Sequence, residues 1–153
     1  MEGDFTLDRS LTAHIAVLSA VFHQLHAHNV LLEGMLLKVS MVILPHQKAS
    51  PQQVAQATCT ALSRTVPPAL PGIVFLSGGQ GDQEAIKNLQ AINEIANNDR
   101  RRYPWKLSFS YGRALQGEPM KAWAKGDNKK AQELFVERAK WCWQASRGEY
   151  KGK

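Results

Sequence analysis

Leu31-Leu32-Glu33-Gly34-Met35-Leu36-Leu37-Lys38-Val39-Ser40-Met41 is an apolar run that carries one lysine near its C-terminal end. A strand buried on both faces reads as a continuous hydrophobic run rather than an alternation, the pattern of parallel sheets in α/β proteins. The run predicts a strand over residues 30–41, extendable to Leu44 before Pro45. An ammonium buried there is costly unless paired, solvated or neutral, and burial favours the neutral amine. A neutral amine at the mouth of a sheet suits carbonyl chemistry through a Schiff base. The alternative is a lysine at a strand end that reaches water along its own stem.

Working outward, two further short apolar runs are bounded by Gly or Pro, which favours strand over buried helix. Gly72–Leu76 lies between Pro71 and the turn Ser77-Gly78-Gly79, and residues 106–111 run into Gly112. Helical patterns alternate with these strands. Leu7–Ala27 places Leu11, Ile15, Leu18, Phe22 and Leu25 on a 3.6-residue period. Ser50-Pro51 opens the next helix, with Val54, Ala57, Ala61 and Leu62 as its stripe. Asp82 is expected to cap a third helix over residues 83–97, with Ile86, Leu89, Ile92 and Ile95 on one side. A shorter helix is expected over residues 114–125, with Pro119 in its first turn or at its true start. The last spans 128–147 and packs Ala131, Phe135, Ala139 and Cys142. Lys38 to Ser77 is 39 residues and Ser77 to Ser110 is 33, spacings that suit repeating βα units around a parallel sheet.

In such proteins chemistry gathers where strands end. The first strand ends at Lys38, the second in Ser77-Gly78-Gly79-Gln80, the third in Ser110-Tyr111-Gly112-Arg113. Glycines after a strand expose N–H groups and let an anion approach, and a helix beginning just beyond adds the positive end of its dipole. Ser77 and Ser110 offer hydroxyls, and Arg113 a bidentate fork. Taken singly, each of these motifs is an ordinary turn; their conjunction at consecutive strand ends is what carries the reading.

The 153 residues are a single-domain length, with 44% hydrophobic and 21% charged residues. No stretch approaches the ~20 apolar residues of a membrane span. The start, Met-Glu-Gly-Asp-Phe, lacks the plan of a signal peptide. Cys59 and Cys142 lie far apart, a pattern that suits free thiols in the cytosol, although a disulfide is compatible with it. A cytoplasmic location is therefore expected. The net charge of +6 is uneven: residues 1–99 carry −3 and residues 100–153 carry +9, including Arg100-Arg101-Arg102, Lys125, Lys129-Lys130, Lys151 and Lys153. That half suits phosphate-bearing ligands or acidic surfaces, or is simply a solvated face. No nucleic-acid-reading motif accompanies it, so no nucleic-acid partner is expected. His23, His26 and His28 lack the i,i+4 pair of helical zinc motifs and read as a polar helix terminus, with no metal.

The segments LLEGMLLK (31–38), TVPPA (65–69), FLSGGQ (75–80), NLQAIN (88–93), FSYGRALQ (109–116) and KAW (121–123) together resemble class I fructose-bisphosphate aldolase, the metal-free, Schiff-base type. The resemblance runs through nearly the whole chain. It implies an α/β fold, a partial (β/α)8 barrel of about three parallel strands with flanking helices, with residues 1–153 as the C-terminal portion in one domain. It implies Lys38 as the Schiff-base lysine, and Ser77, Gly78, Gly79, Ser110, Gly112 and Arg113 as the substrate phosphate site. The implied reaction is reversible cleavage of fructose 1,6-bisphosphate to dihydroxyacetone phosphate and glyceraldehyde 3-phosphate, with no cofactor.

Two departures stand out. Val39 follows the lysine where the family usually has Pro or Ala. The family's first five strands, with an acid/base glutamate, further lysines and an aspartate, would fall before Met1, and its tail ending in tyrosine would follow Lys153. Glu33 is no substitute: five positions from Lys38, it points to the opposite face of a regular strand. A complete barrel needs ~250 residues, so the chain is expected to associate, as a homo-oligomer or with a complementing N-terminal half. A non-catalytic, aldolase-derived scaffold for acidic partners is the competing expectation.

Overall fold

A computed structural model describes residues 5–44 and 49–152. Pro45, Lys153 and the acidic start at residues 1–4 lie outside the described residues. The elements alternate as read from the sequence: α1 (Leu7–Ala27), β1 (Leu36–Ser40), α2 (Pro51–Thr65), β2 (Gly72–Leu76), α3 (Asp82–Asn98), β3 (Lys106–Phe109), α4 (Arg113–Ala124) and α5 (Asn128–Ala145). The three strands pair in parallel in the order β1-β2-β3.

Each boundary has a local cause. At the start of α1, Thr6 accepts the Arg9 N–H at its side chain. Ser50 and Gln53 form a reciprocal capping box with Pro51 at the first helical position of α2. At α3 the cap is Gly81 rather than Asp82, which becomes the first helical residue and sits favourably at the positive helix end. Pro119 lies inside α4, where it is buried, rather than in the first turn; the helix starts at Arg113 because Gly112 makes the turn.

The first strand is shorter than the apolar run that announces it. Residues Leu32–Gly34 form a 3-10 turn, closed by Gly34 N–H to Leu31 O and Met35 N–H to Leu32 O, both 3.2 Å. From that turn Leu32 joins the main core, so its burial does not require a strand. Burial on both faces is also corrected. The strand faces alternate: Leu37, Ile73, Phe75 and Leu107 are buried under the helices, while Leu36 is 60% exposed and Lys38 is exposed. The sheet has a covered face, where Leu37, Ile73, Phe75 and Leu107 join the core, and an opposite face that is exposed at Leu36 and Lys38 and met by α1 at Ser40, through His14.

Between sheet and helices lies the core. The stripes of α2 and α3 enter it through Val54, Leu62, Ile86, Leu89 and Ile92, closed by Trp105 and Tyr111. Ile95 is only half-buried, and Phe135, expected in the α5 stripe, is 41% exposed. Phe135 is displaced to the surface because Ala131, Cys142 and Ala145 make the buried seam of α5. The Trp105 indole donates to the Pro67 carbonyl at 2.9 Å, tying the TVPPA segment to the start of β3.

Candidate active site

Lys38 sits in the middle of β1, in register with Val74 of β2, which is in register with Ser108 of β3. Residues in register in a parallel sheet share a face, so the lysine belongs to the open face, beside half-buried Val74 and Ser108. The desolvation expected of its amine is absent in this chain, since the side chain is exposed. Two residues on, the Ser40 hydroxyl meets His14 Nε2 of α1 at 2.9 Å, and His14 Nδ1 lies 2.8 Å from the Ser10 carbonyl. A carbonyl only accepts, so Nδ1 carries a proton and, in the neutral ring, Nε2 accepts from Ser40.

Beyond β2 the chain reverses at Gly78 and Gly79, with φ of +57° and +90°, and the Gln80 N–H closes the turn on the Ser77 carbonyl at 2.9 Å. Both central residues have positive φ, which glycine alone adopts without strain. Ser77 is 6% exposed, whereas both glycines face solvent. Among the described residues, neither glycine N–H is spent on a main-chain carbonyl. The third strand's ladder extends one residue, Ser110 N–H donating to Phe75 O at 2.8 Å. Gly112 then turns the chain (φ −90°, ψ −87°) and Arg113 opens α4. One Arg113 guanidinium nitrogen stands 3.9 Å from where a Cβ on Gly79 would be. The second and third strand ends are thereby brought together.

Glu33 is not on the strand at all. It is exposed in the 3-10 turn ahead of β1, at the other end of that strand from the glycine turn, so strand alternation does not set which way it faces. His26 Nδ1 lies 2.9 Å from the Phe22 carbonyl, and His28 is the C-cap of α1. Both cysteines are buried free thiols, and burial pushes Cys59 up to about 12 and Cys142 up to about 11.

The family model described as class-I fructose-bisphosphate aldolase matches residues 1–153. Fructose-bisphosphate aldolase B of Sparus aurata is 51% identical over 98% of this chain. The chain belongs to the class-I fructose-bisphosphate aldolase family. The human aldolase B is 49% identical over 97% of the chain, and the aldolase C of Rattus norvegicus 47% over 99%. Among solved structures, an aldolase from Plasmodium falciparum, determined in complex with TRAP and a small molecule inhibitor, superposes with a TM-score of 0.92 at 43% identity over 99% of the chain. The chain spans only 42% of the length of the Sparus aurata aldolase and 44% of the solved one. In aldolase terms the sheet is three parallel strands of a (β/α)8 barrel, and its open face is the one that would look into the barrel.

Four polar residues around these strand ends carried no role in the reading of the sequence: His14, Gln80, Asn88 and Tyr111. Gln80 (8% exposed) and Asn88 (2%) are hydrogen-bonded to each other behind the glycine turn, at 2.7 Å. The Tyr111 hydroxyl donates to the Ala85 carbonyl at 3.0 Å, pinning the end of β3 to the first turn of α3. The usable signal was Asn88 itself, an amide three residues after Ala85 and four before Ile92 on the apolar side of a helix.

Proposed function

We propose that this chain carries the Schiff-base and phosphate-holding parts of a fructose-bisphosphate aldolase, as the C-terminal portion of the barrel. Lys38 attacks the C2 carbonyl of the ketose and water is expelled to form the iminium. A base removes the C4 hydroxyl proton, the C3–C4 bonding pair moves to C3 as the enamine, and glyceraldehyde 3-phosphate departs. Protonation at C3 and addition of water then release dihydroxyacetone phosphate and return the free amine. No residue of this chain is assigned as the base.

The phosphate of the dihydroxyacetone end rests on the Gly78 and Gly79 N–H groups and the Arg113 guanidinium. Ser77, Ser110 and Gly112 shape that seat. Holding a remote dianion orients the carbonyl and converts binding energy into rate. The observation that carries this reading is the meeting of the Arg113 guanidinium with Gly79, at the end of the strand paired with the one bearing Lys38. In a complete barrel the open face is covered by further strands, from an N-terminal half or a second copy, and those strands would desolvate the amine. The two free thiols suit the cytoplasm.

Incubation with dihydroxyacetone phosphate and borohydride tests this. The expected result is a mass gain mapped to Lys38 and lost in Lys38→Ala. Label at other lysines only, or none, overturns the Schiff-base reading. Bound phosphate without any adduct supports instead a non-catalytic scaffold.

A further inference from the structure

Gln80 touches three elements at once. Its Nε2 donates to the Ser77 carbonyl at 2.9 Å and lies 3.7 Å from the Met41 sulfur, and its Oε1 accepts from Asn88 Nδ2 at 2.7 Å. The orientation of both amides follows from their partners. The Ser77 carbonyl can only accept, so the Gln80 nitrogen faces it; the Gln80 oxygen then requires a donor, and Asn88 supplies one. The Ser77 carbonyl takes a second bond from the Gln80 main-chain N–H, also at 2.9 Å, so both its lone pairs are used. Met41 is fully buried and lies three residues beyond Lys38, just past the end of β1.

We propose that Gln80 and Asn88 are positioning residues that hold the glycine turn in register with the lysine strand, and so set the preference for phosphorylated over unphosphorylated ketones. This rests on the reading of Lys38 and the turn given above. Bonding the turn's carbonyl inward, to Gln80, leaves the N–H groups of Gly78 and Gly79 for the anion. The contact with Met41 fixes how far that seat lies from the end of the strand carrying the amine. A buried amide pair between apolar layers is costly unless fully bonded, and here each bond falls on a part of the proposed site.

Asn88→Asp is nearly isosteric but, once ionised, offers only acceptors to Gln80, so it is read at a pH where the carboxylate is formed. The Gln80 amide must then turn its nitrogen toward residue 88, away from the Ser77 carbonyl. Asn88→Leu removes the donor without adding charge and serves as the second variant. Inorganic phosphate is titrated against the full chain carrying Lys38→Ala, with and without each variant. About tenfold weaker phosphate binding is expected, the size of one lost hydrogen bond. In the chain retaining Lys38, borohydride trapping of dihydroxyacetone phosphate should fall about tenfold more than trapping of dihydroxyacetone. Equal losses for the two ketones, unaltered phosphate affinity in both variants, or no phosphate binding by the parent would overturn the proposal. Failure of both ketones to be trapped at Lys38 overturns the Schiff-base reading instead, and the phosphate titration then decides this one alone.

Discussion

At position 38 the chemistry depends on what surrounds the side chain more than on what it is. The lysine stands on the open face of the sheet, and its desolvation requires atoms that the described residues do not place over it. The two thiols are the reverse case, since the core encloses both. Burial raises Cys59 from 9.0 to about 12 and Cys142 from 9.0 to about 11. Above pH 9 the unfolded chain releases thiol protons that the folded chain still holds, so stability falls as pH rises through this window. The loss reaches about 1.4 kcal/mol per thiol at pH 10. Melting temperatures from pH 8 to 11 should decline, and Cys59→Ala should flatten the slope. A slope unaltered by that substitution would show that the thiol does not control the alkaline limb.

Register and anchoring decide what the elements can do together. The pairing of Lys38 with Val74 and of Val74 with Ser108 makes a row across the open face. A slip of one residue would turn the amine into the core. The covered side prevents such a slip, because Leu37, Ile73 and Leu107 form a matching buried row. The start of α3 is anchored to its neighbours by single polar bonds. The Asp82 carboxylate at the start of α3 meets Arg138 of α5 at 3.2 Å, and Tyr150 reaches Gln83 from the C-terminal segment at 2.9 Å. The Tyr111 hydroxyl on the Ala85 carbonyl is the corresponding bond from β3. Tyr111→Phe removes only that donor and should cost about 1 kcal/mol. In a chain of this size that lowers the melting temperature by about 3 °C, measurable by calorimetry. An unshifted melting curve would mean that packing alone seats α3 on β3.

Considered whole, the described residues form a helix layer on a three-stranded sheet, with two edges unpaired among them and one face largely open. Outer strands present unpaired N–H and C=O groups, and Leu36 adds apolar surface at 60% exposure. Such surfaces drive pairing with another chain. Sedimentation of the 153-residue chain should therefore show association at micromolar concentration. Mixing it with an N-terminal aldolase half should give a species that melts more cooperatively and traps dihydroxyacetone phosphate faster. A compact monomer that melts cooperatively and ignores the added half would contradict this view of the assembly.

Much of this was readable from residue order, and for identifiable reasons. Gly72–Leu76, Leu7–Ala27 and the Ser50-Pro51 start follow from local chemistry: glycine and proline boundaries, a 3.6-residue stripe, a capping box. The turns at 77–79 and 110–113 were legible as strand ends because they carry unusual residue types, whereas Lys38, expected to end its strand, lies in the middle of β1, which runs on to Ser40. Tertiary structure alone decided the rest, since each of these features depends on partners far along the chain. The apolar run at 31–35 is a turn rather than a strand because Leu32 finds its burial against the core. Lys38 is exposed because it alternates with Leu37, and it is Leu37's face that joins the core. Gln80 acquires its place only when Asn88, eight residues on, and Met41, thirty-nine residues back, converge on its amide. Local propensity sets an element's type; the direction a polar side chain faces is set by whichever distant group can satisfy it.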